Sequence, residues 1–285
     1  MKPGNLFKRM VKRSVCVHFH IFKNAGSTVD WAFERKLGRA FRTVDGAAPG
    51  DRLGADAIEN FLRKHPATRY LSSHQFRFPL PVMKRTLFLP ILFIRHPIDR
   101  ALSIYAFEKR QGGITPGSRK AEQTTPAEYT RWRLDQGAVA VLADFQTSVL
   151  SFEAGEAPGR PIEPADVRRA ERNLASCAVV GVVERLDESL VCAEHALEPH
   201  FKDIDLAYVP QNVTRGRPAT IEDRLELGRA TLGSSLMDEL TERNGNDTHL
   251  CLKANEILDS RLDSIPDCER RLADFKARCA RLVRS

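Results

Sequence analysis

The sequence predicts one α/β domain, with a parallel sheet covered by helices on both faces and a helical C-terminal region. Three observations carry that prediction. Apolar runs at 15–21, 87–94 and 178–183 have the near-continuous hydrophobicity of strands buried on both sides. Amphipathic segments of helical period lie between them, and strands that alternate with helices build parallel sheets. The length, 285 residues, suffices for one large core and requires no second one. The whole of 1–285 therefore reads as a single domain with its core at about 15–262.

The elements follow in order. Strand 15–21 opens onto helix 28–37, and helix 55–64 and strands 69–73 and 87–94 come next. Pro97 suits the first position of helix 98–110. A Gly-, Pro- and Thr-rich stretch at 111–125 reads as a long loop, one that covers an acceptor site or makes a surface excursion. Helices within 126–150, a Pro/Gly loop at 154–165, helix 165–175, strand 178–183 and helix 187–200 complete the core, and from Ile221 onward the chain reads as charged helix.

The first strand runs into His20-Ile21-Phe22-Lys23-Asn24-Ala25-Gly26-Ser27-Thr28. A small-residue turn opening a helix is a place where unpartnered N–H groups and the helix dipole meet an anion. Ser27 and Thr28 add hydroxyls, and Ser27 with Asp30 has capping-box spacing. Lys23 precedes the glycine, and no glycine lies four residues ahead of Gly26. The loop thus departs from the magnesium-using Walker A order and reads as an anion cradle, or as a tight turn with an incidental lysine. A second strand, Ile91-Leu92-Phe93-Ile94, ends at Arg95-His96-Pro97, with Ser103 two helical turns further on. An arginine fork and a serine hydroxyl suit a phosphate. An Arg95–Asp99 pair beside a solvated serine would use the same residues.

Together the two segments resemble the PAPS-dependent sulfotransferases, in particular the Golgi carbohydrate type that includes heparan sulfate 2-O-sulfotransferase. Lys23 to Thr28 are similar to that family's loop for the donor's 5′-phosphosulfate. Arg95, Pro97, Arg100 and Ser103 match its 3′-phosphate element at full spacing. Val180 to Leu190 looks like its V-G-x-x-E-R-x-D-E-S-L turn, Asn212-Val213-Thr214 like its late loop, and Asn244, Asp247 and Leu250 like its closing helix. Phe22, Asn24, His96 and Cys251 depart from the usual residues. The resemblance implies a P-loop-NTPase-like sulfotransferase fold and transfer of a sulfuryl group from PAPS to an acceptor hydroxyl on a carbohydrate or glycolipid, with no metal required. It implies that Lys23 meets the leaving group while Asn24, Ala25, Gly26, Ser27 and Thr28 hold the 5′-phosphate. Arg95 and Ser103 would hold the 3′-phosphate, and Arg215 and Arg217 would fold over the nucleotide or else lie on the surface.

A general base is expected at His74, which follows strand 69–73 and so emerges at the carboxyl edge of the sheet, where ligands of open α/β sheets bind. Ser73-His74-Gln75-Phe76 loosely resembles the family's catalytic-histidine segment. His20 and His96, each beside a donor motif, are the reserves.

The formal charge is +7, from 44 basic and 37 acidic residues, which favours anionic partners. Aromatics make up only 7% of the chain, and no basic–aromatic stripe of the single-strand-binding kind occurs, so no nucleic-acid partner is expected. The six cysteines include no C-x-x-C pair and read as free thiols. No metal-ligand cluster is spaced along the sequence, although His18 and His20 share a strand face. The first 14 residues are basic without an apolar core, and no run of 18 apolar residues occurs. The expectation is a cytoplasmic enzyme with no membrane span. Two other classes remain open, a non-catalytic nucleotide or nucleic-acid binder and a small-molecule kinase. The kinase would need an acidic magnesium ligand near the loop.

Overall fold

The computed structural model describes residues 13–48, 50–136, 141–156, 159–211 and 218–284. Apolar runs form β1 (Arg13–Phe19), β2 (Phe41–Thr43), β3 (Tyr70–Ser73), β4 (Thr86–Ile94) and β5 (Val179–Val182). They make one sheet in the order β2-β3-β1-β4-β5. All its pairings are parallel, and Val17 of β1 stands between Leu71 of β3 and Pro90 of β4.

Side chains alternate across the sheet because a strand's period is two. Val15, Val17 and Phe19 of β1 face one core, packed under α2 (Ala55–Lys64), α6 (Phe145–Ser151), α7 (Pro164–Ser176) and α11 (Gly245–Asp263). Cys16 of β1, with Ile91 and Phe93 of β4, faces a second core under α1 (Gly26–Leu37), α8 (Leu186–Leu197) and α12 (Cys268–Arg284). A third cluster lies apart from the sheet and is mostly helical. It joins α3 (Pro97–Arg110), α4 (Pro116–Gln123), α5 (Pro126–Asp135), α9 (Ile221–Leu232) and α10 (Ser234–Glu242) through Ile104, Tyr129, Leu236 and Leu240. Gly181 of β5 permits close packing, since a Cβ there would run into the Phe93 ring.

This topology selects one place on the sheet. β2 and β3 lie on one side of β1, and β4 and β5 on the other. The crevice outside the carboxyl ends of β1 and β4 is therefore the topological switch point, the usual ligand position in such sheets. The residues leaving β1 and β4 there are the Lys23 loop and Arg95.

The structure corrects several local expectations. β1 starts earlier and stops at Phe19 instead of 21, because the Ile21 N–H folds back onto the Phe19 carbonyl at 2.9 Å and the chain turns. β2 was not predicted. It has three residues, of which only Phe41 is buried, too few to display a period. The stretch 111–125 is mostly α4, opened by a Thr115–Ser118 capping box with proline in the first turn. The helices expected within 126–150 are α5 and α6. The Ser27–Asp30 capping box does not form. Ala25 is the N-cap of α1, in the left-handed conformation and without a side-chain cap. All six cysteines are free. Among the described residues no helix is long and apolar enough to cross a membrane.

Candidate functional site

The turn after β1 is built from unusual backbone. Lys23 has φ 68° and Ala25 φ 59°, left-handed values that cost a non-glycine residue roughly 1 kcal/mol or more each. Surrounding bonds hold them there. The Asn24 N–H donates to the Ile21 carbonyl at 3.1 Å, and the Arg95 Nη1 donates to the Lys23 carbonyl at 2.7 Å. The first N–H groups of α1, at Gly26 and Ser27, then point out of the helix end.

One buried side chain ties both halves of the crevice together. Gln146, in α6, accepts from Asn24 Nδ2 at 2.7 Å and from the Arg95 N–H at 3.0 Å. Its own amide donates to the Arg95 carbonyl at 2.9 Å and to Asp247 at 3.3 Å. Asp247, fully buried on α11, also accepts the N–H groups of Gln146 at 3.0 Å and Thr147 at 2.7 Å, so it caps α6 from another helix. Asn244 completes the frame by donating to the Leu142 and Leu240 carbonyls. The Asn-x-x-Asp spacing is thus structural.

Around this frame opens a cleft of about 250 Å³. Lys23, Ala25, Gly26, Ser27, Thr28, His74, Arg95 and Ser103 all line it, while Val183, Leu186, Tyr208 and Pro210 form an apolar wall. Among the described residues no Asp or Glu lines it. Asn24 does not line it. Its side chain is turned into the core, where Nδ2 also meets the Phe93 carbonyl at 2.7 Å. Arg95 is held by Asp99 at 3.0 Å, so the ion-pair alternative of the sequence is real and coexists with a place in the cleft lining. Arg100 is fully buried, bonded to the Val141 carbonyl and set over the Phe145 ring. Burial pulls its guanidinium down to about 10. Thr28 accepts the Gln211 N–H at 3.0 Å. Asn212-Val213-Thr214, Arg215 and Arg217, just beyond, lie outside the described residues.

The histidines form a stack behind the loop. Asp30 accepts from His18 Nδ1 at 2.8 Å, Tyr70 Oη at 2.8 Å, His20 Nδ1 at 2.9 Å and Ser72 Oγ at 2.9 Å. Burial opposes its charge, but His18 and His20 hold its carboxyl well below the usual carboxylate range. His18, His20 and Asp30 are close enough together to act as metal ligands. Both carboxylate oxygens are already filled by two donors each, and the cluster reads as a hydrogen-bonded one. The His20 ring occupies the space a Gly26 Cβ would take. His74 stacks on His20 with ring centroids 4.0 Å apart. Its Nδ1 faces Asp45 Oδ2 at 3.5 Å, and Asp45 Oδ1 accepts the His74 N–H at 3.1 Å. Partial burial and His20 pull the His74 pKa down, against the opposing pull of Asp45.

His74 also lines a second, larger cleft of about 720 Å³, with Phe22, Asp45, Asp51, Arg52, Arg77, Phe145 and Phe152 among its walls. His74 and Phe22 are common to both clefts. Sequence reasoning missed Gln146, Asp45 and this second cleft. A glutamine inside a helical stretch carries no motif, and Asp45 sits in a short irregular segment. α4, predicted as a loop that could cover the acceptor, lines neither cleft.

No family model matches the chain. The chain is 26% identical over 259 residues to an uncharacterized protein of Archaeoglobus fulgidus, an alignment spanning 87% of this chain and 98% of that protein. The similarity runs through nearly the full length of both and brings no activity with it.

Proposed function

We propose that the protein is a sulfotransferase that moves the sulfuryl group of PAPS to an acceptor hydroxyl on a carbohydrate or similar molecule in the cytoplasm. The observation that carries this reading is the meeting of the Lys23 loop, Arg95 and Ser103 in one cation-lined cleft that no carboxylate among the described residues lines, with His74 on the boundary to a second cleft. A 3′-phosphate on the nucleotide suits Arg95 and Ser103, a 5′-phosphosulfate suits the α1 N-terminus with Ser27 and Thr28, and an adenine suits the wall of Val183, Leu186, Tyr208 and Pro210. A magnesium nucleotide would find no carboxylate ligand among the described residues of the lining, which disfavours the kinase alternative.

In this reading the residues act as follows. Lys23 supplies positive charge at the bridging oxygen that becomes the leaving group. His74, its Nδ1 turned to Asp45, keeps Nε2 for the proton of an acceptor hydroxyl entering from the larger cleft. The left-handed turn, braced by Gln146 through Asn24, holds Lys23, and Asp45 with the His20 ring holds His74, so that catalysis rests on positioning and charge. Calorimetric titration in EDTA checks the donor assignment. Adenosine 3′,5′-bisphosphate is expected to bind much more tightly than AMP. Equal affinity would remove the 3′-phosphate role of Arg95 and Ser103.

A further inference from the structure

The larger cleft carries a pair of arginines that the donor site does not use. Leu53 and Phe76 form an isolated parallel bridge, with the Leu53 N–H on the Gln75 carbonyl at 2.8 Å and the Arg77 N–H on the Leu53 carbonyl at 2.9 Å. That bridge brings Arg52 and Arg77 onto the same wall. Arg77 is only 9% exposed. It makes one hydrogen bond, Nη1 to the Phe76 carbonyl at 2.8 Å, and its Nε has no partner among the described residues. Arg52 donates to the Glu156 carbonyl at 3.0 Å and lies over the Phe152 ring. Neither guanidinium has a carboxylate at ion-pair distance among the described residues. The acidic residues in the lining are committed elsewhere. Asp45 accepts from Ser73 Oγ at 2.8 Å and from His74, and Asp51 accepts the Ala48 N–H at 2.9 Å.

Burying one arginine beside another is unfavourable unless an anion compensates. Burial and the Arg52 charge pull Arg77 down to about 10, and the one carboxylate felt by Arg52, that of Glu156, is bonded to Arg160 and Arg169. The rest of the lining suits a compact ring, because Phe22, Phe145 and Phe152 give flat apolar faces and His74 stands where the cleft meets the donor cleft.

We propose that this cleft takes an acidic acceptor, its anionic group held by Arg52 and Arg77 and its ring against the phenylalanines. The presentation of a hydroxyl to His74 rests on the sulfotransferase reading, whereas the anion site does not. A carboxylate and a phosphate or sulfate ester share the required chemistry, since each accepts the paired N–H groups of an arginine fork.

Calorimetry with three p-nitrophenyl β-glycosides tests it, with and without saturating adenosine 3′,5′-bisphosphate: the neutral glucoside, the glucuronide and the glucoside 6-phosphate. At least one charged ligand is expected to bind about 10- to 100-fold more tightly than the glucoside, and which one does separates a carboxylate from a phosphate ester. Arg77→Gln is expected to erase that preference while keeping bisphosphate affinity, which reports that the protein is folded. Arg52→Gln, on the more open side of the pair, is expected to reduce the preference and stands in if Arg77→Gln does not fold. Equal affinity for all three ligands, or a preference that survives both variants, overturns the proposal. Charged-ligand preference without labelled-sulfate transfer or bisphosphate binding would leave the anion site standing and remove the sulfotransferase reading. The reverse pattern would remove the anion site alone.

Discussion

At the scale of single residues, two histidines of one type are put to different uses by what stands behind them. His20 is locked to Asp30 and packed over Gly26, whereas His74 has one face on His20 and one edge towards Asp45. Of the two, His74 alone borders both clefts. In the proposed transfer, His74→Ala lowers kcat by about 10²- to 10⁴-fold with bisphosphate affinity kept, read by labelled-sulfate turnover. The sign of the pH effect follows from the direction of the shift. A base must be neutral to accept a proton, and His74 is pulled below its ordinary 6.5. Turnover should therefore stay level as the pH falls to 6.5 and decline only below it, and the variant should lose that limb. Near-normal turnover in His74→Ala would move the role elsewhere, with His20 the first to test.

At the scale of elements, the site depends on a helix that is not part of it. α6 presents Gln146 to both the Lys23 turn and the end of β4, and α11 caps α6 through Asp247. Removing the Gln146 amide leaves Asn24 Nδ2, the Arg95 N–H and Arg95 carbonyl short of buried partners, and each such group costs about 1–3 kcal/mol. Gln146→Ala is expected to lower unfolding stability in urea by about 2–4 kcal/mol and to weaken bisphosphate binding, because the left-handed turn loses its brace. A variant with unchanged stability and binding would show that the Arg95–Lys23 and Asn24–Ile21 carbonyl bonds hold the turn without Gln146. The elements were unevenly legible in the sequence. Long periodic segments such as α3 and the apolar run of β4 are read from period alone, and Pro97 marks where α3 begins. β2 is too short for a period, and α4 is masked by Gly, Pro and Thr, although Thr115-Pro116 is a recognisable helix start.

At the scale of the whole molecule, a half-buried ionised carboxylate joins strand and helix. Asp30, on α1, ties β1 through His18 and β3 through Tyr70 and Ser72. A carboxyl held below its unfolded value stabilises the fold fully above that value, near 4. That stability is lost progressively as the pH falls below it towards the depressed folded value. Wild-type unfolding free energy should fall steeply below about pH 4, and Asp30→Asn should be less stable at neutral pH with a shallower acid slope. Parallel slopes would assign acid unfolding to other carboxylates. The sequence by itself determined the α/β class, the strand-to-helix turn at Lys23 and the second cation at Arg95, because period, small residues and chain order are local properties. Tertiary structure decided the rest. The order β2-β3-β1-β4-β5 brings the two loops to one switch point, and Asp30, not a capping box, receives the histidines. Asn24 turns inward, and Arg52 and Arg77 come together on one wall. Each of these depends on pairing between residues far apart in the chain, so no local window of the sequence contains it.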